Sequence, residues 1–247
     1  MIIYINFTIG MAMFAVFYFC SLYFTLVLNY SSSKSGTSIT YYLPGLAFGA
    51  YSAIFLCNVY PKQTFHPLLG SIITPVVITI LAIVLNNGNK NPIFGMLVMT
   101  GVGIGVRFMP GTLHGVGYFP NQIASIVSLL LLSVSLGGTL GITVMTNVFN
   151  GRLRKRGINL SGAGASLNGI AGLSGDQQSV LRSEAKGAIS LAFWAVSAFL
   201  WLGLGLCVGL GNVDIGAKGV GRACRGSYLG SLLRKKEATG GEEGRQE

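Results

Sequence analysis

Two histidines, four cysteines and seven carboxylates are the chain's whole inventory for acid–base, nucleophilic or metal chemistry. Their positions decide against most of it. Every carboxylate lies at or beyond Asp176, so the long apolar part before it carries no acidic side chain. A serine-based intramembrane protease needs a histidine or lysine base beside its nucleophile, whereas His66 and His114 fall near the ends of apolar runs. An aspartyl or metal-dependent enzyme needs paired carboxylates or a ligand cluster, and the apolar runs offer neither. Cys20, Cys57 and Cys207 sit inside apolar runs and Cys224 in a basic tail, without the CxxC spacing of a metal or redox site. They read as small buried apolar side chains. Gly101-Val102-Gly103-Ile104-Gly105 lacks the GxGxxG spacing of a dinucleotide loop, and no Walker-type phosphate loop appears. The expectation is a chain that is not an enzyme and holds no metal or cofactor.

What remains is a set of small and polar residues repeating at helical spacing. One stripe is Tyr18, Ser21 and Thr25. A second is Ser38, Tyr42, Gly45, Gly49 and Ser52, and the longest is Asn121, Ser125, Ser128, Ser135, Thr139 and Thr146. Lipid rejects unpaired polar groups, so these faces are expected to look toward other helices or a water-filled cavity. Tyr18, Ser21, Thr25, Tyr42, Ser128, Ser135 and Thr139 are the substrate-cavity candidates. The competing reading is a packing seam, since small residues let membrane helices approach closely. GxxxG spacing makes Gly45, Gly49, Gly101, Gly105, Gly137, Gly138 and Gly141 the helix-packing candidates. Arg107 stands near the edge of an apolar run, just before Pro110, and its long side chain is read as an interface anchor reaching the headgroups.

Composition indicates the kind of scaffold that carries these residues. Of 247 residues, 51% are hydrophobic and only 10% charged, with a mean hydropathy of +0.63. A soluble domain carries about 25% charged residues, and a disordered chain needs low hydrophobicity, so both are excluded. The fold class expected is an all-α polytopic membrane protein. Six runs approach the roughly 20 apolar residues that cross a bilayer: 2–28, 37–60, 68–85, 93–108, 123–149 and 188–210. They make one bundle over 1–211, interrupted by a flexible loop at 151–187 and followed by a disordered tail at 212–247. The third and sixth runs lack polar stripes and are expected at the lipid-facing periphery. The first run starts directly after Met1 without the basic start and cleavage site of a signal peptide, which raises the expectation of further sequence upstream.

The net charge of +10 sits in loops and the tail, where it suits anionic headgroups rather than nucleic acid. Positive charges divide eight to nine between the two sides, so charge alone does not orient the bundle. The sequons Asn29-Tyr30-Ser31 and Asn159-Leu160-Ser161 both fall in odd-numbered loops, which favours cytoplasmic termini and makes Asn159 the glycosylation candidate. Asn29 lies too close to its span to be a reliable acceptor.

Certain strings carry a family resemblance. Tyr18-Phe19-Cys20-Ser21-Leu22-Tyr23-Phe24, then Ser31-Ser32-Ser33-Lys34-Ser35-Gly36 and Tyr42-Leu43-Pro44, resemble the LPLYFQ…S…SG…LP run of fungal major facilitator superfamily transporters. The branch is that of the fourteen-helix drug:proton antiporters. Residues 101–114, Leu136-Gly137-Gly138-Thr139-Leu140-Gly141 and Val148-Phe149-Asn150 resemble the same branch's GG-x-x-G…VFN region. The similarity runs from about Ile5 to Leu210 and covers only the carboxyl-terminal six-helix bundle. Ser21 stands where the family usually has proline and Thr25 where it often has glutamine. The signature between the bundle's second and third helices and its acidic groups are missing.

The resemblance implies efflux of small organic molecules by proton antiport, with cytoplasmic termini in a plasma or vacuolar membrane. It implies that the first and fourth spans line a cavity, with the second and fifth beside them and the third and sixth outside. The partners it implies are the lipid bilayer, an organic substrate whose identity is not written in the sequence, and an amino-terminal half or a second copy. A single bundle has nothing to rock against, so this chain alone is expected to be inactive. The alternative is a non-transporting membrane interaction protein that packs with partner helices through its small-residue seams.

Overall fold

Within a bilayer core no water is at hand for the backbone, so an apolar segment must satisfy its own N–H and C=O groups as a helix. The computed structural model describes residues 1–59, 65–88, 90–155, 175–209, 211–214 and 222–227. Its helices are α1 (Ile2–Leu26), α2 (Ser32–Ile39), α3 (Tyr42–Val59), α4 (Phe65–Asn87), α5 (Lys90–Tyr118), α6 (Ile123–Lys155) and α7 (Gly175–Val208). Among the described residues, six helical stretches are long and apolar enough to cross a membrane. The membrane part is therefore an all-α polytopic bundle.

Prolines explain where the spans depart from simple runs. The second span is α2 and α3 in succession, broken at Thr40 and Tyr41. Pro44 has no N–H to return to the Thr40 carbonyl, and its ring crowds that carbonyl, so the helix restarts there. Pro110 does not stop α5, which continues to Tyr118. The bond it withholds from the Val106 carbonyl is tolerable in a membrane helix packed by neighbours. The loop expected at 151–187 is helical at both ends: α6 runs on to Lys155 and α7 starts at Gly175. Residues such as Gln177, Leu181, Arg182, Glu184, Ala185 and Lys186 are good helix formers even without an apolar stripe. Arg152, Arg154 and Lys155 occupy the last turn of α6, where they complement the negative end of its dipole. Within the tail, expected without structure, Gly211–Asp214 and Arg222–Ser227 form an antiparallel strand pair that packs on α5. These strands are too short and polar to show alternation in the sequence.

The packing has an internal symmetry. Spans one to three correspond to spans four to six: α1 packs on α6 as α5 packs on α3, α5 packs on α4 as α1 packs on α7, and α4 and α7 pack on each other. One departure is that α6 also rests on α7, whereas α3 barely touches α4. At the centre, Phe19 meets Phe149 and Phe193 edge-on, with ring centroids 6.1 and 6.5 Å apart. Ile78, Leu81 and Leu85 of α4 belong to the same apolar core.

Polar bonds tie this core together at few points. Ser190 Oγ donates to the Ala82 carbonyl at 2.7 Å, joining α7 to α4. Tyr23 Oη donates to the Leu85 carbonyl at 3.1 Å. Leu85 lies in the last turn of α4, where carbonyls lack an intrahelical donor, so Tyr23 caps that end from α1. Tyr23→Phe is expected to cost about 1 kcal/mol, the usual net worth of one such bond plus part of the unmet acceptor. Reversible unfolding in mixed micelles measures it, and unchanged stability would show that another donor serves Leu85.

Candidate functional site

The α1 stripe lies against α2. Ser21 Oγ is 3.2 Å from Ser35 Oγ, and Ser35 Oγ also lies 3.1 Å from the Ser21 carbonyl. Thr25 Oγ1 donates to that same carbonyl at 2.8 Å. Tyr18 is 40% exposed. Tyr42, at the start of α3, is buried edge-on against Phe17 with centroids 4.8 Å apart. Its hydroxyl has no hydrogen-bond partner among the described residues. On the neighbouring α6, whose Gly138 accepts the ring of Phe14, Ser128, Ser135 and Thr139 are all exposed. Ser135 Oγ donates to the Leu131 carbonyl at 3.3 Å, and Thr139 Oγ1 donates to the Ser135 carbonyl at 2.9 Å. These hydroxyls are satisfied by their own helix. The structure thus brings Ser21 and Thr25 together with Ser35, with Tyr18 exposed one turn earlier on α1, while the α6 residues form a separate face pointing out of the bundle.

The seven packing glycines sit at two helix crossings related by the internal symmetry. Where α3 crosses α5, an added Cβ on Gly101 would lie 2.7 Å from Leu46 N, and one on Gly105 would lie 2.8 Å from Ala50 N. Gly45 and Gly49 face the backbone of Val98 and Val102 from the other side. Where α1 crosses α6, a Cβ on Gly137 would lie 2.7 Å from the Phe7 carbonyl carbon, and one on Gly141 would lie 2.8 Å from Met11 Cγ. Gly10, unnoticed in the sequence because it has no GxxxG partner, completes that crossing against Val134.

Within this bundle the third and sixth spans bury 50% and 39% of their apolar windows, against 22% and 28% for the second and fifth. A helix without polar residues can still be central, because α4 and α7 bury apolar faces on each other and on α5 and α1. Arg107 is not an interface anchor. It is 1% exposed, because α5 continues well past it and α1 and α4 close over it. Its Nη2 donates to the Ile5 carbonyl at 2.7 Å and to Thr8 Oγ1. Gly70 of α4 gives it room: a Cβ there would lie 2.7 Å from Arg107 Cβ.

Around Arg107 the structure gathers Asn6, Thr8 and Ser71, which the sequence did not single out, and His114, which it placed near a span end; all four are buried. Asn6 Nδ2 donates to the Ile2 carbonyl at 3.1 Å, and its amide lies next to the space that a Gly111 Cβ would fill. His114 packs edge-on to Tyr118 at 5.2 Å. Arg107, Gly111 and His114 are spaced at i, i+4 and i+7 along one face of α5. That face was hidden because the apolar run that marked the fourth span ends at residue 108, before Gly111 and His114. Asn159 lies outside the described residues. Among the described residues no group of three His, Cys, Asp or Glu side chains could hold a metal ion.

Fold and composition define the class: an integral multi-pass membrane protein whose apolar helices contact the lipid bilayer. No protein-family model matches the chain, and no curated protein sequence matches it.

Proposed function

We propose that the chain is one six-helix bundle of a facilitator-type transporter, the family its sequence resembles. It moves small organic molecules by alternating access together with a second bundle, and its termini are cytoplasmic. The observation that carries this reading is the matching packing of spans one to three and spans four to six, as expected of the three-span repeats from which each half of such transporters is built. The exposure of α3 and α6 supports it as well. Their outward faces combine Phe48, Tyr51 and Phe55 with Ser128, Ser135 and Thr139, a mixture suited to an opposing bundle across a partly wet cleft rather than to lipid alone.

Single cysteines in a cysteine-free background test it in native membranes. At Tyr18, Ser135 and Thr139 they are expected to react with a membrane-impermeant thiol reagent about tenfold faster than at Ile78, in the core, or Phe199, on the outer side of α7. Equal protection of all five sites overturns the cavity. It would favour the second reading, an interaction protein whose α6 face packs against partner helices. One observation stands on that side: the hydroxyls of Ser135 and Thr139 already bond their own helix and need no water.

A further inference from the structure

We propose that Arg107 and Ser71 form a binding site for one small oxyanion, a carboxylate or inorganic phosphate. The site lies inside the bundle near the membrane face where α1 begins and α7 ends. It is independent of whether the chain transports.

A guanidinium keeps its proton in proteins, and a buried ion costs several kcal/mol unless it is paired. Arg107 is the only Lys or Arg side chain fully buried among the described residues. Its hydrogen-bond partners, the Ile5 carbonyl and Thr8 Oγ1, are neutral. Its Nε has no hydrogen-bond partner among the described residues. Neither has Ser71 Oγ, which lies on the neighbouring α4 one residue after Gly70 and beside the Cys207 thiol.

The acids that precede the tail do not balance this charge. None precedes Asp176. Asp176 and Glu184 are at the start of α7 and Cys207 at its end. At 1.5 Å per residue, Glu184 and Cys207 are about 34 Å apart along the helix. The remaining acids are in the tail. A cation would add to the unbalanced charge, and a neutral carbonyl would fill the donors without balancing it. An oxyanion does both, taking the Nε–H of Arg107 and the Ser71 hydroxyl as charge-assisted donors. The enclosure of Arg107 favours a small free anion over a lipid phosphate.

The test uses the full chain in phosphatidylcholine nanodiscs at constant ionic strength, with chloride exchanged for acetate or inorganic phosphate. Equilibrium dialysis is expected to show saturable uptake of about one anion per chain. The thermal midpoint is expected to rise by about 3–6 °C at tenfold excess over Kd. Arg107→Gln should abolish both effects. Ser71→Ala, which leaves the buried charge in place, should weaken binding about tenfold, as expected for one bond to a charged group. If Arg107→Gln fails to fold, the Ser71→Ala comparison still decides. Absence of saturable binding by the unsubstituted chain overturns the proposal, as does unchanged binding in Ser71→Ala. So does stabilisation seen only when phosphatidylglycerol is added, which would assign the site to a lipid headgroup. If Asp214→Asn creates an anion dependence that the unsubstituted chain lacks, the counter-charge is the tail's own carboxylate and the proposal fails.

Discussion

Gly137→Ala is expected to destabilise the bundle by about 3 kcal/mol, at the upper end of the overpacking range, although it adds one methyl group. The new Cβ would meet the backbone of Phe7, its carbonyl carbon only 2.7 Å away. A rotamer change cannot relieve a clash between one helix's Cβ and another helix's backbone, so α1 and α6 must separate. Separation would loosen the neighbouring contacts of Gly10 with Val134 and Gly141 with Met11. Gly101→Ala should behave alike at the symmetry-related crossing of α3 and α5. Gly205→Ala is the control, because a Cβ there meets nothing within 4 Å. Relieved of glycine's entropic cost in a helix, that variant should be neutral or more stable by about 0.5–1 kcal/mol. Reversible unfolding in mixed micelles gives all three values. If Gly137→Ala and Gly205→Ala prove equally tolerated, the close crossing does not exist in the membrane.

These glycines also show what a sequence can and cannot disclose about such a fold. Close backbone approach demands the absence of a Cβ at four-residue intervals, which is a local pattern and can be read directly at Gly45, Gly49, Gly101, Gly105, Gly137 and Gly141. The spans were legible for a similar reason, since length and apolarity are properties of a single segment. Which helix lies at the centre is not such a property. α4 and α7 carry no polar stripe, yet they bury more of their apolar windows than α3 and α6 do. An apolar face suits lipid and core equally. Hydroxyl stripes were ambiguous on other grounds. Thr25, Ser135 and Thr139 return their protons to carbonyls of their own helices, so their polarity does not by itself distinguish water from a packing partner. Arg107 was misplaced by one local inference, that the fourth span ends with its apolar run at residue 108. With α5 extended to Tyr118, Arg107, Gly111 and His114 fall on one buried face of that helix.

Reconstituted alone into liposomes, the 247-residue chain is expected to give no solute flux driven by a proton gradient. Proton antiport needs a group at membrane depth that gains and loses a proton during the cycle, and a carboxylate is the usual one. No Asp or Glu precedes Asp176, and Asp176 and Glu184 stand at the start of α7, opposite to the Arg107 end. Free tyrosine titrates near 10, too high to cycle at neutral pH, and arginine holds its proton. Histidine is the side chain whose range fits, which leaves His114 as the one internal alternative among the described residues. It lies seven residues from Arg107 on the same face of α5, about 10 Å along the axis. A proton on His114 would add a second positive charge to the α5 face that already carries Arg107. The coupling group of the complete assembly is therefore expected outside this chain. Two measurements separate the possibilities. Flux from the purified chain that collapses with an uncoupler would overturn the expectation. Loss of that flux in His114→Gln, with binding retained, would then place the proton site on α5.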